Sequence, residues 1–322
     1  MNLVVTSSPH IRGKNRTDGI MRDVLIALLP TSAAGVLIFG IRALFVIAVS
    51  VIAAMAGELI YGAITKKGNT LYDLSAAVTG LLVALILPVN VPYWVAAVGG
   101  FFATFVVKGL CGGLGQNVFN PALASRAFLL AVWPVYVTRF AQVGTGLSLG
   151  MTTDAVTAAT PLHAMQIPAI PEISISKMFL GTIGGCIGEV STLALLIGAA
   201  YLVVRKVISL RIPAAYLGTV AVLALVFNKG QNPIEWMLYS LLGGGVILGA
   251  FFMATDYASS PVTPKGQILY GIGAGILTVF FRYTGLFPEG VTYAILLMNA
   301  ATWLIDSVTA PRRFGVQKGD VK

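Results

Sequence analysis

Ten apolar segments, each long enough to cross a lipid bilayer or nearly so, restrict the fold of this chain more than any other feature. They lie near 23–41, 43–64, 71–88, 92–110, 121–137, 177–204, 212–228, 234–254, 266–282 and 290–308. A transmembrane helix needs about 20 mostly apolar residues, and only 10% of the residues here are charged. The sequence therefore predicts an all-α integral membrane protein with about ten transmembrane helices.

The distribution of basic residues predicts the orientation of these helices. If the N-terminus is cytoplasmic, 16 of the 21 Lys and Arg residues fall on the cytoplasmic side, as the positive-inside rule requires. Arg126, one turn into the fifth segment, is interpreted as one of these anchors. We expect a bacterial cytoplasmic membrane protein with both termini in the cytoplasm and the loop 138–176 outside. The net charge of +9 has the same explanation, and no nucleic-acid partner is predicted.

Five segments precede the long loop and five follow it, so the second set is inverted relative to the first. This predicts a first five-helix half at 1–137, an extracytoplasmic loop at 138–176 and a second half at 177–322. The third segment of each half runs into a turn bracketed by prolines, at 88–92 and 259–264. Proline removes a backbone donor, which is tolerated in a membrane only beside protein or a cavity. We therefore expect broken helices near a functional site.

Metal centres have too few side-chain ligands in this sequence. The two cysteines, Cys111 and Cys186, are far apart, and neither His10 nor His163 is near them. Iron–sulfur clusters and structural zinc sites usually take four such ligands. Any redox chemistry must therefore use another cofactor.

The loop between the halves contains MTTDAVTAATPL at 151–162, with Asp154, Thr157 and Thr160 spaced three residues apart. The pattern resembles the D-x-x-[ST]-x-x-T motif at which FMN is joined through its phosphate to the last threonine. That motif occurs in membrane subunits of the Rnf and Na⁺-pumping NADH:quinone oxidoreductase complexes. The resemblance implies covalent FMN in a phosphoester to Thr160, although alanines at 155 and 158 stand where the family often has glycines.

Three further motifs resemble the same RnfD/NqrB family. They are GGLGQNVFNPAL at 112–123, FMATDYASSPV at 252–262, and FPEGV at 287–291 followed by LLMNA at 296–300. The motifs occur in the expected order over essentially the whole chain, and its length is nearer to that of RnfD members than to the longer NqrB members. Gly109 replaces the Glu usual in the quinone-reducing members, which argues against quinone chemistry here.

The resemblance implies a membrane electron-transfer subunit of an Rnf-type ferredoxin:NAD oxidoreductase that moves Na⁺ or H⁺. It implies a second, non-covalent flavin, riboflavin, and we expect its pocket at the cytoplasmic ends of the broken segments, near Asn117, Asn120, Asp256 and Ser260. The implied partners are a flavin-bearing RnfG-type subunit, membrane RnfA- and RnfE-type subunits, and cytoplasmic RnfB- and RnfC-type subunits. Ferredoxin and NAD would act through those subunits, and this chain alone would have no turnover.

Two other functions are compatible with ten inverted helices. One is a solute channel or transporter of urea-channel-like architecture, and the other is a structural assembly subunit. Both predict a protein without flavin, so the presence of flavin in the purified chain separates them from the electron-transfer function.

Glu189 is an acidic residue near the middle of the sixth apolar segment. An acid at that depth costs about 2.5–3.5 kcal/mol on insertion scales, so we expect it to face the interior and to be neutralised by a proton or a cation. It is a candidate for the ion pathway, and a structural carboxyl bonded to nearby hydroxyls is the alternative. Glu58, Asp73 and Asp306 lie nearer to segment ends, where headgroup water can reach them.

Overall fold

The computed structural model describes residues 16–66, 71–141, 174–181, 183–229, 232–284 and 290–311. Within these ranges the regular structure is helical and there is no β-strand. This confirms the predicted all-α class. The FMN motif, with Asp154, Thr157 and Thr160, lies outside the described residues.

The described residues of the first part of the chain form six α-helices and one long π-helical stretch. They are α1 (Thr17–Phe39), α2 (Ile41–Thr65), α3 (Ser75–Leu85), α4 (Tyr93–Phe101), which continues as the first π segment (Phe102–Gly109), α5 (Pro121–Val132) and α6 (Pro134–Val137). Gly40 separates α1 from α2 with a φ of 79°, a backbone conformation that glycine adopts without steric cost. α3 ends at Leu85, well before the predicted end of the third segment, and the chain then continues without regular structure to Pro92.

The described residues of the second part of the chain form seven α-helices. They are α7 (Ile175–Leu180), α8 (Thr192–Val204), α9 (Arg211–Val226), α10 (Pro233–Leu242), α11 (Val246–Leu248), which continues as the second π segment (Gly249–Met253), α12 (Pro264–Thr284) and α13 (Val291–Thr309). Between α10 and α11 the chain turns through Gly244 and Gly245, both with positive φ. The third segment of this half is therefore broken internally, at Gly244 and Gly245, and not only at the proline-bracketed turn 259–264 where the sequence predicts the break.

The sixth predicted segment, 177–204, is wrong as a continuous helix. α7 ends at Gly181, which has a φ of 101°, and residues 183–191 are irregular before α8 begins. The backbone of this stretch pairs with the end of α3: the Gly188 N–H donates to the Leu85 carbonyl at 2.8 Å and the Ile187 N–H to the Leu87 carbonyl at 3.0 Å. These bonds satisfy backbone groups that a broken helix would otherwise leave unpaired.

Three described helices are long and apolar enough to cross a membrane by length and composition: α1, α2 and α13. α10 and α11 with the second π segment bend by 60° and count as a fourth if they form one broken span. Five other apolar helices have 10–17 residues. These findings support a membrane protein, and the ten-span topology stays a prediction.

Tight helix packing around glycines builds the core. α2 packs on α3 and α4, whereas α9 packs on α10 and α12, and α1 crosses α8. At that crossing a Cβ atom on Gly198 would lie 2.0 Å from the Ala27 carbonyl oxygen, so only glycine allows the two backbones to approach this closely. Small residues at contacts of this kind are typical of helices packed within membranes.

Several chain segments meet at one end of the bundle, which we call the α1-start end because α1 begins there. Asp23 in the second turn of α1 forms an ion pair with Arg205 at the end of α8, at 3.2 Å. Ser209 hydrogen-bonds Gln267 near the start of α12 at 3.2 Å. The basic-residue count places these same segments in the cytoplasm, and that assignment stays a prediction.

Candidate functional site

A cleft of about 790 Å³ opens at the α1-start end of the bundle. Its polar lining consists of Ser75, Thr79, Lys108, Asn117, Asn120, Thr255 and Asp256. Apolar side chains from α1, α3 and the second π segment supply part of the remaining wall. The cleft therefore has the mixed character of a cofactor pocket: a largely apolar wall with a few converging polar groups.

The two π segments position the polar part of this lining. Each leads directly into an irregular loop, 110–120 after the first and 254–263 after the second. Asn117 and Asn120 come from the first loop and Asp256 from the second. π-Helical stretches occur frequently at functional sites. Here they bring together three residues that the sequence predicts to form one pocket, although the two loops are far apart in the chain.

Asn117 is the residue most clearly available to a ligand. Its side chain is only 5% exposed, and its Oδ1 atom has no hydrogen-bond partner within the described residues. An unsatisfied buried acceptor costs about 1–3 kcal/mol. Because Asn117 lines the cleft, a ligand that donates an N–H or O–H hydrogen bond would remove this cost.

Asn120 holds the two loops together. Its Oδ1 accepts hydrogen bonds from the backbone N–H groups of Ala122 at 3.0 Å and Leu123 at 3.3 Å, which caps the start of α5. Its Nδ2 donates to the Met253 carbonyl at the end of the second π segment, at 3.2 Å. Asn120 therefore lines the cleft as predicted, but its polar atoms already have protein partners.

Asp256 and Ser260 have different roles. The Asp256 carboxylate lines the cleft and accepts a hydrogen bond from the Ser259 hydroxyl at 3.1 Å. Its position deep among protein atoms raises the pKa of the carboxyl, and that hydrogen bond opposes the shift. Ser260 does not line the cleft; its backbone N–H donates to the Asp256 carbonyl at 3.1 Å. The structure thus brings three of the four predicted residues to the cleft, and Ser260 supports the turn.

Lys108 is a cleft residue that the sequence interpretation missed. It is 4% exposed, and its Nζ lies 2.7 Å from Glu58 Oε1 and also donates to the Ser75 hydroxyl. The prediction that headgroup water reaches Glu58 is wrong, because the first π segment lies against α2 and buries the pair. A second cleft of about 410 Å³ adjoins the same lysine.

Asn299 is a second missed residue, although it belongs to the LLMNA motif. With its amide oriented to satisfy its neighbours, it accepts from the Asn120 N–H at 3.0 Å and donates to the Ser259 carbonyl at 3.2 Å. It also hydrogen-bonds the Tyr270 hydroxyl. Asn299 therefore connects both loops of the cleft to α12 and α13. Its place in the LLMNA motif is the feature of the sequence that could have identified it as a site residue.

Glu189 lies in the irregular stretch 183–191 and forms an ion pair with Arg126. The distance from Arg126 Nη1 to Glu189 Oε1 is 3.2 Å, and Arg126 Nη2 lies 3.5 Å from Cys186 Sγ. Arg126 is 3% exposed, so the prediction that it is a surface anchor is wrong. Glu189 does face the interior, as predicted, and an arginine rather than a free cation neutralises it.

The break between α10 and α11 lies against this ion pair. Gly245 has a φ of 68°, and a Cβ atom there would lie 2.4 Å from Glu189 Oε1. On the other side of the break, the Arg282 guanidinium donates to the carbonyls of Ser240 at 2.6 Å and Gly243 at 2.9 Å. Arg282 thus satisfies the free carbonyls at the end of α10, which lack partners within the helix.

Comparison with known proteins identifies the family of this chain. The model of the NQR2, RnfD, RnfE family matches residues 4–315. The chain is 50% identical over 321 residues to the D-type subunit of the Na⁺-translocating ferredoxin:NAD⁺ oxidoreductase complex of Acetobacterium woodii, covering 99% of this chain and 97% of that protein. It is 41% identical over 324 residues to the D-type subunit of the proton-translocating ferredoxin:NAD⁺ oxidoreductase complex of Clostridium ljungdahlii, covering 98% and 96%.

A third relative is more distant. The chain is 36% identical over 340 residues to the D-type subunit of the ion-translocating oxidoreductase complex of Halorhodospira halophila, covering 97% of this chain and 95% of that protein. The match extends over nearly the full length of all three relatives. The chain therefore belongs to the NQR2, RnfD, RnfE family.

Proposed function

We propose that this chain is the membrane electron-transfer subunit of an Rnf-type ferredoxin:NAD oxidoreductase complex that moves Na⁺ or H⁺. The observation that carries the proposal is the 50% identity, over 99% of the chain, to a protein named as the D-type subunit of such a complex. Its partners are then the other subunits, of RnfG, RnfA, RnfE, RnfB and RnfC type, and ferredoxin and NAD act through them.

We propose that Thr160 carries FMN through a phosphoester. The support is the spacing of Asp154, Thr157 and Thr160, and Pro161 directly after Thr160, which disfavours an α-helical conformation at the acceptor. The Thr160→Ala chain should lose the mass of FMN from the intact polypeptide, whereas Thr153→Ala, a matched change in the same loop, should keep it. Covalent FMN remaining in the Thr160→Ala chain would refute this assignment.

We propose that the cleft at the α1-start end holds the second flavin, riboflavin. Its largely apolar wall and the unsatisfied Asn117 Oδ1 fit a flat heterocycle with N–H donors. When bound, the flavin would supply the one-electron and two-electron chemistry that these side chains cannot perform. Asn117 would orient it by accepting a hydrogen bond, and the apolar residues of α1 and the second π segment would keep water from it.

Flavin released by denaturation tests this pocket. The Thr160→Ala complex should still release riboflavin, whereas adding Asn117→Leu should lower the amount severalfold, because an apolar group cannot accept a hydrogen bond. Asn120→Ala should also lower it, through loss of the α5 cap and the link to Met253. Thr284→Ala, on an exposed part of α12, is the control. Equal riboflavin in all four proteins would remove the cleft as its site.

We propose that Glu189 and Arg126 lie on the route that couples electron transfer to ion movement. The support is a carboxylate inside the bundle at the point where broken helices meet, held by a single arginine. The named relatives include one Na⁺-translocating and one proton-translocating complex, so the family accommodates either ion. A purified chain that is colourless and contains no flavin would instead favour a solute channel.

A further inference from the structure

Lys108 is the one lysine or arginine side chain among the described residues that line the cleft. Its ammonium has three N–H donors; Glu58 and Ser75 take two of them, which leaves the third for a ligand. Lys108 also lines the second cleft, so it forms the wall between the two spaces. A buried ammonium in that position acts on whatever occupies the larger cleft.

The start of α5 adds to this positive charge, whereas Asp73 accepts a hydrogen bond from the Ser75 N–H at 2.8 Å and so offsets the partial charge at the start of α3. Ser75 and Thr79 place the first turns of α3 on the cleft, and Pro121 and Ala122 place the first turn of α5 there. Helix N-termini carry a partial positive charge, which favours a negative ligand close to the first turn. The unsatisfied Asn117 Oδ1 in the same lining points independently to a bound ligand.

Carboxylates near the cleft reduce this positive charge and determine on which side it remains. Glu58 lies on the ammonium at 2.7 Å, so it partly neutralises Lys108. Asp256 enters from the other loop, 254–263. The positive side of the cleft is therefore the side formed by Lys108 of the first π segment and the start of α5. A ring that gains negative charge is most stable with its charged edge on that side.

We propose that Lys108, with the first turn of α5, raises the reduction potential of the flavin in this cleft by stabilising its reduced, negatively charged form. This inference rests on the proposed riboflavin site. In the step concerned, the preceding redox carrier of the complex is oxidised and the ring is reduced by the same electrons. No covalent bond to the protein forms or breaks. Lys108 is a tuning residue, and Glu58 sets how much of its charge the ring experiences.

Opposite charge changes test this assignment. The purified full chain carrying Thr160→Ala, loaded with added riboflavin, contains one flavin whose potential can be titrated spectroscopically. Lys108→Met should lower the potential by at least the equivalent of a tenfold change in the equilibrium, which is 59 mV for a one-electron couple. Glu58→Gln should raise it, because it exposes the ammonium charge. Lys108→Met with Glu58→Gln should give an intermediate value, and Lys108→Arg should stay near the parent.

The outcomes separate the tuning role from the flavin site. If Lys108 has only a structural role, Lys108→Met and Glu58→Gln should move the potential in the same direction. That result would overturn the inference and leave the flavin site intact. The same conclusion would follow if riboflavin binds and neither variant shifts its potential. Failure of the parent chain to bind riboflavin would overturn the site and the inference together. If Lys108→Met does not fold, the double variant, which leaves no unpaired buried charge, decides the question: its potential should be lower than that of Glu58→Gln.

Discussion

Two buried ion pairs, Lys108–Glu58 and Arg126–Glu189, have similar geometry but different surroundings. Lys108 and Glu58 belong to the first π segment and α2, and clefts of about 790 and 410 Å³ adjoin the lysine. Arg126 on α5 and Glu189 in the stretch 183–191 join two parts of the chain that are far apart in sequence, and the space beside them is only about 230 Å³. A pair beside a large cleft can respond to a ligand. An ion pair between broken helices can separate only if the helices repack.

The neighbourhood of Arg126 and Glu189 shows why this pair depends on packing. The end of α3, the stretch 183–191 and the break between α10 and α11 meet there, and backbone hydrogen bonds join the first two. These groups have few alternative partners inside a membrane, because lipid supplies no hydrogen bonds. We therefore expect charge changes at Arg126 to cost more stability than charge changes at Lys108.

Removing Arg126 should have the largest effect. Arg126→Met leaves Glu189 buried without its ion-pair partner, and breaking such a pair costs about 3–5 kcal/mol. The thermal unfolding midpoint of the detergent-solubilised protein measures this loss. Arg126→Met combined with Glu189→Leu should recover most of it, because no uncompensated charge remains. A double variant as unstable as Arg126→Met alone would show that packing, rather than charge, explains the loss.

Removing Lys108 should cost less, about 1–3 kcal/mol, because water in the adjoining clefts can hydrate the Glu58 carboxylate left behind. The same thermal unfolding measurement applies, and Lys108→Met with Glu58→Gln is its matched double variant. Equal losses for Lys108→Met and Arg126→Met would contradict the difference drawn between the two sites.

Helix positions and cofactor-pocket residues could be predicted to different extents from the sequence. Hydropathy located α1, α2 and α13 closely, since long apolar runs leave little choice of structure in lipid. It failed at 177–204, where glycines count as apolar yet permit the backbone break that accommodates Glu189. Periodicity contains no information about such breaks, because the backbone that pairs with Gly188 lies about 100 residues earlier, at Leu85.

The pocket residues Asn117, Asn120 and Asp256 were predicted through motif resemblance, which identified the loops without showing what each side chain does. The ion pairs were missed for a physical reason. Lys108 and Arg126 resemble ordinary cytoplasmic anchors in sequence, because a basic residue at the end of an apolar run is usually hydrated. Only the folded structure shows that each lies against a carboxylate more than 45 residues away.

Glu189→Gln should have the smallest effect on stability and should affect function selectively. The amide oxygen of glutamine can still accept a hydrogen bond from Arg126, so the junction of broken helices keeps its main contact at a cost of about 1 kcal/mol.

Glutamine at position 189 is uncharged. It cannot take up a proton or a cation in place of Arg126, as the ionised Glu189 carboxylate can. A unit change of charge on a redox group about 8 Å away, at an effective dielectric near 20, is worth about 2 kcal/mol. That energy would shift the occupancy of a carboxylate more than tenfold, which provides the physical link between electron transfer and ion movement.

Vesicles containing the complex allow both rates to be measured: ion uptake, and electron transfer from ferredoxin to NAD. Glu189→Gln should retain electron transfer and lose ion uptake, whereas Glu189→Asp, which keeps the charge, should retain part of the uptake. If Glu189→Gln keeps both at wild-type rates, Glu189 is a structural partner of Arg126. Of these two ion pairs, Lys108–Glu58 would then be the one that contributes to function.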